Sequence, residues 1–244
     1  MAVYLKEFET QAAYEAAQSG LILPNVSLTV DNNTVHYNPS SPVPPTPSHD
    51  YVEIGGIKWA TMNVGANSIT DIGFYCQWGD ASGYTASQVG SGEGQKYFGE
   101  DDCIYYNNGS YTKYNSTDGK IILEPTDDAV TAAWGGNWRM PTVSEFIALG
   151  EAVTNAWTAD YQGSGVAGLV CTDKTDSSKV LFFPACGDAD YGSVHIVGSY
   201  GYYWSSSLCD NSRAYYLGFD SEDVYWDWDE YRLYGYSVRG VLGE

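Results

Sequence analysis

The 244-residue sequence predicts an α+β domain made of short strands, long loops and two short helices. The composition contains 22 Tyr and 27 Gly, residue types that favour strands and turns over a helical bundle. From residue 51 onward, short apolar runs alternate with Gly-rich polar segments. Two segments among these runs carry helix-start signals, and isolated helices among many strands are typical of the α+β class.

The first 37 residues predict a separate module. Residues 5–19 predict a short helix, because the stretch is rich in alanine and Gly20 can end it. Residues 26–37 predict a β-hairpin with a turn-forming Asp-Asn-Asn tip. Residues 38–49 contain five prolines and predict an extended linker. Because so small a module buries little core, we expect it to dock on another subunit, a partner or the main domain.

Residues 50–244 carry the remaining predicted elements. Thr126 is the predicted N-cap of one helix. Thr142 is the predicted N-cap of a second helix, where Glu145 three residues later completes a capping box. The predicted strands cover residues 51–60 (a hairpin), 74–78, 180–184 and 202–206.

The charge and the apolar pattern exclude several partners. A formal charge of −20 repels nucleic acid and anionic membranes, so neither is an expected partner. Apolar runs are too short to cross a bilayer, and the first residues lack the basic start and apolar run of a signal peptide. We therefore expect a soluble protein that is made in a cytoplasm.

Catalytic and metal-binding patterns are weak. The five cysteines are widely spaced without a C-x-x-C pair, which favours buried thiols, with one disulfide left open. His36, His49 and His195 are scattered, and a Gly-rich phosphate loop is absent from the sequence. The prediction is a non-enzyme with no cofactor and no metal, although the acids at 220–223 and 226–230 leave calcium binding open.

Four short motifs follow one another along residues 51–242. They are Gly-Ile-Lys-Trp-Ala-Thr-Met-Asn at 56–63, Asn-Trp-Arg-Met-Pro-Thr with Glu-Phe at 137–146, Tyr-Trp-Ser-Ser-Ser at 203–207 and Ser-Val-Arg-Gly-Val at 237–241. Together they resemble formylglycine-generating-enzyme-like C-type-lectin folds and the related FISUMP and DUF1566 families of bacterial surface domains. The resemblance implies a C-type-lectin-like fold, but a fold alone does not give a function. Those oxidases need a late pair of cysteines, whereas only Cys209 lies late here, so the oxidase activity is not expected.

Residues 203–241 also resemble the variable region of diversity-generating retroelement proteins. There a reverse transcriptase miscopies adenines, so that template Asn codons become Tyr, Asp, Ser, Gly, Cys, Leu or Arg, but never Trp or Glu. Under this resemblance Glu222, Trp226, Trp228 and Glu230 are fixed. The residues between them that an Asn codon can reach are Cys209, Asp210, Tyr216, Gly218, Asp220, Asp223, Tyr225, Asp227, Asp229, Tyr231, Leu233, Tyr234 and Tyr236.

The resemblances imply a carrier and a partner. Residues 23–39 resemble short leader modules of gut-phage structural proteins. The implied protein is a phage tail component, made in the host cytoplasm, that binds a bacterial surface receptor, either protein or glycan. Residues 1–37 would contact other virion proteins, and homo-oligomerisation is left open. The alternatives are a fixed carbohydrate-binding lectin or adhesin domain and a location on a bacterial cell surface.

The side-chain alternation predicts a ligand-binding face. In residues 214–220 the odd-numbered side chains are expected in the core and the even-numbered ones in solvent, and in residues 224–229 the parity is reversed. A rigid surface rich in Tyr is the chemistry of antibody paratopes. The predicted framework residues are Trp59, Trp138, Trp204, Leu217, Phe219 and Trp226. The predicted ligand-binding residues are Asp210, Asn211, Tyr216, Gly218, Asp220, Asp223, Tyr225, Asp227, Asp229, Tyr231, Leu233, Tyr234 and Tyr236.

Overall fold

A computed structural model describes the backbone of residues 27–31 and 34–38, and residues 49–243 with their side chains. The chain divides into two units, residues 1–48 and 49–244. In the first unit, β1 (Ser27–Asp31) and β2 (Thr34–Asn38) pair antiparallel, with residue 30 opposite residue 35, so the predicted hairpin is confirmed. The predicted helix at 5–19 and residues 39–48 of the predicted linker lie outside the described residues.

The second unit consists of small antiparallel sheets and two α-helices, which fits the predicted α+β class. The helices are α1 (Ala129–Trp134) and α2 (Val143–Ala152). Its strands are β3 (Tyr51–Ile54), β4 (Ile57–Asn63), β5 (Cys76–Gln77), β6 (Tyr106–Asn107), β7 (Ser110–Tyr111), β8 (Trp138–Arg139), β9 (Val153–Thr158), β10 (Gly168–Asp173), β11 (Val180–Pro184), β12 (Asp188–Asp190), β13 (Ser193–His195), β14 (Gly201–Leu208), β15 (Arg213–Phe219), β16 (Val224–Tyr231), β17 (Gly235–Tyr236) and β18 (Arg239–Leu242). Short 3-10 turns occur at Ala86–Gln88, Glu100–Asp102 and Tyr161–Gly163.

The strands form one hairpin and four sheets in this unit. The sheet orders are β3-β4-β18-β8, β13-β12-β17-β5, β11-β10-β9 and β14-β15-β16, with β6-β7 as the hairpin. The predicted strands at 51–60, 180–184 and 202–206 are confirmed, and the one at 74–78 is shorter than expected. Within the described residues, none of the helices is long and apolar enough to cross a membrane.

Both α-helices begin at side-chain caps, but only one cap is the predicted one. The Asp128 carboxylate caps α1 by accepting hydrogen bonds from two first-turn N–H groups, each at 2.9 Å. The prediction of Thr126 is wrong, because its hydroxyl donates to the Asp127 carboxylate instead. At α2 the predicted capping box is confirmed: Thr142 Oγ1 accepts from Glu145 N at 3.3 Å, and Glu145 Oε2 accepts from Thr142 N at 2.7 Å.

The four sequence motifs are bonded to one another in the core. Arg239 on β18 lies opposite Asn63 on β4, and its guanidinium donates two hydrogen bonds to Asn63 Oδ1 at 2.9 and 2.7 Å. Asn63 Nδ2 in turn donates to the Tyr203 hydroxyl at 3.1 Å. The Ser207 hydroxyl accepts from Val143 N at the start of α2, at 3.0 Å. These bonds fix the position of β14, the first strand of the sheet that carries the predicted face.

The predicted framework residues lie where they were expected. Trp59, Trp138, Trp204, Leu217 and Phe219 are buried, and Trp226 is partly buried against the same core. The sheet β14-β15-β16 separates two hydrophobic clusters, one around Leu217 and Phe219 and another around Trp204 and Tyr216. This second cluster buries part of the predicted binding face.

Candidate functional site

One face of the sheet β14-β15-β16 is aromatic. Tyr216 lies between Trp204 on β14 and Trp228 on β16, and Gly218 lies between Tyr202 and Tyr225. Directly opposed residues of antiparallel strands place their side chains on the same face. The expectation that Tyr216 and Gly218 share a face with Tyr225 is therefore correct.

A β-bulge changes the alternation in β16. Between the pairs Tyr216–Trp228 and Gly218–Tyr225, β16 has one residue more than β15. Tyr225 and Trp228, three residues apart, consequently lie on one face, and their rings stack with centroids 3.7 Å apart. The expectation that Trp228 faces the core is wrong: its side chain is 49% exposed.

The bulge also moves two predicted site residues to the opposite face. Asp229 is paired with Tyr215, and Tyr231 is paired with Arg213. There Arg213 Nη1 lies 3.1 Å from Asp229 Oδ2, and its guanidinium lies 4.7 Å from the centre of the Tyr231 ring. Asp229 and Tyr231 therefore do not share a surface with Tyr216 and Tyr225.

The aromatic face forms the floor of an open cavity of about 490 Å³. The hairpin β12–β13 and the segment at 234–236 contribute its other walls. We call this the aromatic cavity and define it by its principal lining residues, which are aromatic or titratable. These are Tyr202, Tyr216, Trp228, Tyr234, Tyr236, Asp188, Asp190, His195 and Glu230.

The tyrosine rings of the aromatic cavity pack against other rings, whereas their hydroxyl groups make no hydrogen bond within residues 49–243. The Tyr236 ring stacks on Trp204 at 4.3 Å and on Tyr202 at 5.0 Å, and it meets the Tyr216 ring edge-on at 5.2 Å. Within residues 49–243, the hydroxyls of Tyr202, Tyr216, Tyr234 and Tyr236 have no hydrogen-bond partner. The packed rings hold the walls in place, while the hydroxyls are available to a bound molecule.

The titratable groups make the cavity acidic. Asp190 Oδ1 lies 2.7 Å from His195 Nε2, so the two side chains form a pair at hydrogen-bond distance. Asp188 Oδ1 is buried without a hydrogen-bond partner among the described residues. Burial, with the nearby Asp190 charge as a second cause, raises the pKa of Asp188 from 3.8 to about 6. In the described part of the chain, neither lysine nor arginine lines this cavity.

The raised pKa predicts a pH-dependent stability. Between pH 4 and 6 the folded state keeps a proton on Asp188 that the unfolded state has lost, so stability falls as pH rises through this window. Asp188→Asn removes this loss. We expect the melting temperature of the variant to match wild type at pH 4 and to exceed it by about 2–4 °C at pH 7.5. This shift corresponds to about 1 kcal/mol, the destabilisation by the Asp188 charge that remains after solvent screening. Thermal melts at both pH values test this, with the exposed Asp227→Asn as control. An Asp188→Asn variant that is no more stable than wild type at pH 7.5 would contradict it.

Several predicted site residues are buried, which corrects the expectation that they face solvent. Tyr216 and Tyr236 are each 4% exposed, and Leu233 is 5% exposed. For the two tyrosines the physical reason is that both rings belong to the hydrophobic cluster around Trp204. Gly218 is also buried, and the Tyr216 ring lies 2.7 Å from the position that a Cβ would occupy there.

The remaining predicted residues are spread around the sheet. Tyr234 lines the aromatic cavity, and Tyr225 flanks it through its stack on Trp228. Asp220 Oδ1 accepts from the backbone of residues 222 and 223, and Asp210 Oδ1 accepts from residues 212 and 213, so both carboxylates hold turns. The exposed members outside the aromatic cavity are Asp210, Asn211, Asp223, Asp227 and Tyr231.

Sequence reasoning missed the acidic wall of the cavity. Asp188, Asp190 and His195 lie before the segment that resembles a variable region, and Glu230 and Trp228 were expected to be fixed residues outside the ligand-binding set. The alternating Asp-Ala-Asp followed by Ser-Val-His is a short strand signal that could have predicted the hairpin β12–β13. Its position beside β17 depends on pairing between distant segments.

The cysteines supply no reactive pair among the described residues. All five are free, and four of them are buried, so the predicted buried thiols are confirmed. Burial is the main cause that raises the pKa of both Cys186 and Cys209. Both groups are therefore held as thiols at neutral pH, the less nucleophilic form.

The comparisons with known proteins concern the same region. A family model described as a domain of unknown function, DUF8237, matches residues 171–241. Neither a curated protein nor a solved structure shows significant similarity to the chain. The segment matched by DUF8237 contains every residue that lines the aromatic cavity.

Proposed function

We propose that this protein is a non-catalytic binding protein that captures a receptor through the aromatic cavity. The observation that carries the proposal is a preformed concavity that combines five large aromatic side chains with four tyrosine hydroxyls that have no hydrogen-bond partner among the described residues. Such rings offer a large contact area at low cost in conformational entropy, and their hydroxyls confer specificity. The packed sheet beneath them reduces the ordering that binding requires.

The fold proposed for this unit is C-type-lectin-like. Support comes from the four motifs of the resemblance, which are joined in one bonded core through Asn63, Tyr203 and Arg239. The capping box at Thr142 and the bond from Val143 to Ser207 add the helix α2 to the same network. Residues that are distant in sequence thus form a single scaffold beneath the cavity.

The proposed role is host recognition by a phage tail, with the binding face diversified by a retroelement. Tyr216, Tyr234 and Tyr236 are reachable from an Asn codon and line the cavity, whereas Trp228 and Glu230 are not reachable. Diversification would therefore change three of the five aromatic rings of the cavity. It would retain the other two rings and all three acids, because Tyr202, Asp188 and Asp190 lie before residue 203. We expect the genome to contain, beside a reverse transcriptase, a near-copy of the codons for residues 203–241 that differs at adenines. Other virion proteins would bind residues 1–37.

The binding test uses the fluorescently labelled full chain on a panel of gut bacterial cells, measured by flow cytometry. On a cell type that binds wild type, the double variant Trp228→Ala, Tyr234→Ala should lose at least about 10-fold in affinity. Its melting temperature should change little, because both side chains are at least partly exposed. The matched control is Tyr51→Ala, which removes an aromatic side chain that is 48% exposed on another sheet. Equal binding by the double variant and wild type would refute the proposal.

A fixed carbohydrate-binding lectin is the second candidate, and the stack of Trp228 on Tyr225 favours it. An exposed flat ring held by a second ring is a suitable platform for an apolar sugar face. This candidate predicts that periodate treatment of the cells abolishes binding and that the genome contains no template copy of residues 203–241. A proteinaceous receptor predicts loss of binding after protease treatment instead.

A further inference from the structure

We propose that the aromatic cavity recognises a cationic group, the ammonium or guanidinium of a lysine or arginine side chain on a protein receptor. The inference rests on the proposed binding function and specifies its ligand chemistry. It depends on three features of the described residues: the sign of the charge in the cavity, the orientation of its aromatic rings, and the way the chain holds its own arginines.

The charge of the lining is negative and largely uncompensated. Asp188, Asp190 and Glu230 line the cavity, and among the described residues the only basic group beside them is His195, which is paired with Asp190. Asp188 Oδ1 is buried and has no hydrogen-bond partner in residues 49–243, and an unpaired buried acceptor costs free energy until a donor reaches it. A cationic donor would satisfy this oxygen and neutralise the acids, whereas a neutral sugar would leave their charge in place and an acidic ligand would be repelled.

The aromatic lining suits the same ligand. The faces of Trp and Tyr rings carry negative potential and attract ammonium and guanidinium groups within about 6 Å. Trp228 is 49% exposed at the rim, and the partly exposed rings of Tyr202 and Tyr234 line the cavity beside it. The unpaired tyrosine hydroxyls supply further acceptors for N–H groups. A volume of about 490 Å³ is ample for one basic side chain.

The chain already holds two of its own arginines against aromatic rings. On the opposite face of the same sheet, the Arg213 guanidinium lies 4.7 Å above the Tyr231 ring and 3.1 Å from Asp229. Arg232 is fully buried, with its guanidinium 4.0 Å from the Tyr111 ring and 4.7 Å from the Trp78 ring. The aromatic cavity shares its aromatic rings with both arginine sites and its carboxylates with the Arg213 site, but lacks an internal cation in the described residues.

The test is an NMR titration of the full chain that follows the indole N–H of Trp228. The probes are N-acetyl-lysine methylamide, N-acetyl-arginine methylamide and the uncharged N-acetyl-norleucine methylamide, which keeps the aliphatic chain of lysine. We expect at least one charged probe to bind at least about 10-fold more tightly than the norleucine probe. Tetramethylammonium is included as a free cation without a side chain, and we expect it to bind more weakly than that charged probe.

A matched pair of variants separates local recognition from the overall negative charge. Glu230→Gln removes an acid from the cavity and should weaken binding of the charged probe at least about 3-fold. Glu222→Gln removes the same charge from an exposed position on the turn between β15 and β16 and should leave the affinity within about 2-fold. The norleucine probe should respond to neither variant.

Three results would overturn the inference: equal affinity for charged and uncharged probes, equal effects of the two variants, or no shift of the Trp228 signal up to about 50 mM probe. Tighter binding of tetramethylammonium than of both amino-acid probes would overturn the assignment to a protein side chain. These failures are distinct from failure of the proposed function. If cell binding is still lost in the Trp228, Tyr234 double variant, the cavity is a binding site for another chemistry.

Discussion

Replacing Arg239 by methionine is expected to lower the free energy of unfolding by about 4 kcal/mol. The Arg239 side chain is fully buried, and burial lowers its pKa. Its acceptors are neutral: Asn63 Oδ1 at 2.7 and 2.9 Å and the carbonyls of Ala60 at 3.0 Å and Phe182 at 2.9 Å. Methionine keeps much of the aliphatic volume but leaves these buried acceptors without a donor, and each unpaired acceptor costs about 1–3 kcal/mol.

Unfolding in guanidinium chloride, followed by tryptophan fluorescence, measures this loss of unfolding free energy. The control is Arg213→Met, which removes a partly exposed ion pair with Asp229 and should cost less than about 1 kcal/mol. Arg239→Lys should fall between the two, because an ammonium can donate to some of the same acceptors. A loss below about 1.5 kcal/mol for Arg239→Met would mean that the network through Asn63 does not hold the motifs together.

Local signals in the sequence predicted the fold best where neighbours along the chain are also neighbours in space. The capping box of Thr142 and Glu145 spans four residues and formed as expected. The cap of α1 was misplaced because Thr126 and Asp128 are both suitable cap residues. The choice is decided by a tertiary contact: Asp128 Oδ2 also accepts from Met140 N, which follows the helix in sequence, at 2.8 Å.

The candidate site was predictable only in part, for a related reason. Alternation placed Tyr216 on the face it occupies, since β15 is regular there, but it failed in β16 because a bulge exists only in relation to the paired strand. Exposure was misjudged for Tyr236 because the cluster around Trp204 covers it. The acidic residue Asp188 joins the site through the pairing of β12 with β17, which links residues 189 and 235.

Tyr236→Ala is expected to lower the free energy of unfolding by about 3 kcal/mol, whereas Tyr231→Ala should cost less than about 1 kcal/mol. Both positions can be reached from an Asn codon, but Tyr236 is 4% exposed and Tyr231 is 41% exposed. The loss at Tyr236 comes from the cavity left beside the stacked Trp204 and Tyr202 rings.

Urea unfolding of the two variants tests this contrast, and Tyr236→Phe serves as the matched control. Phenylalanine keeps the ring, and the Tyr236 hydroxyl has no hydrogen-bond partner in residues 49–243, so the control should lie within about 0.5 kcal/mol of wild type. Equal losses for Tyr231→Ala and Tyr236→Ala would show that the cluster around Trp204 does not stabilise the fold. If the variable region is diversified as proposed, a change at residue 236 alters the cavity wall and lowers stability, whereas a change at residue 231 alters only the surface.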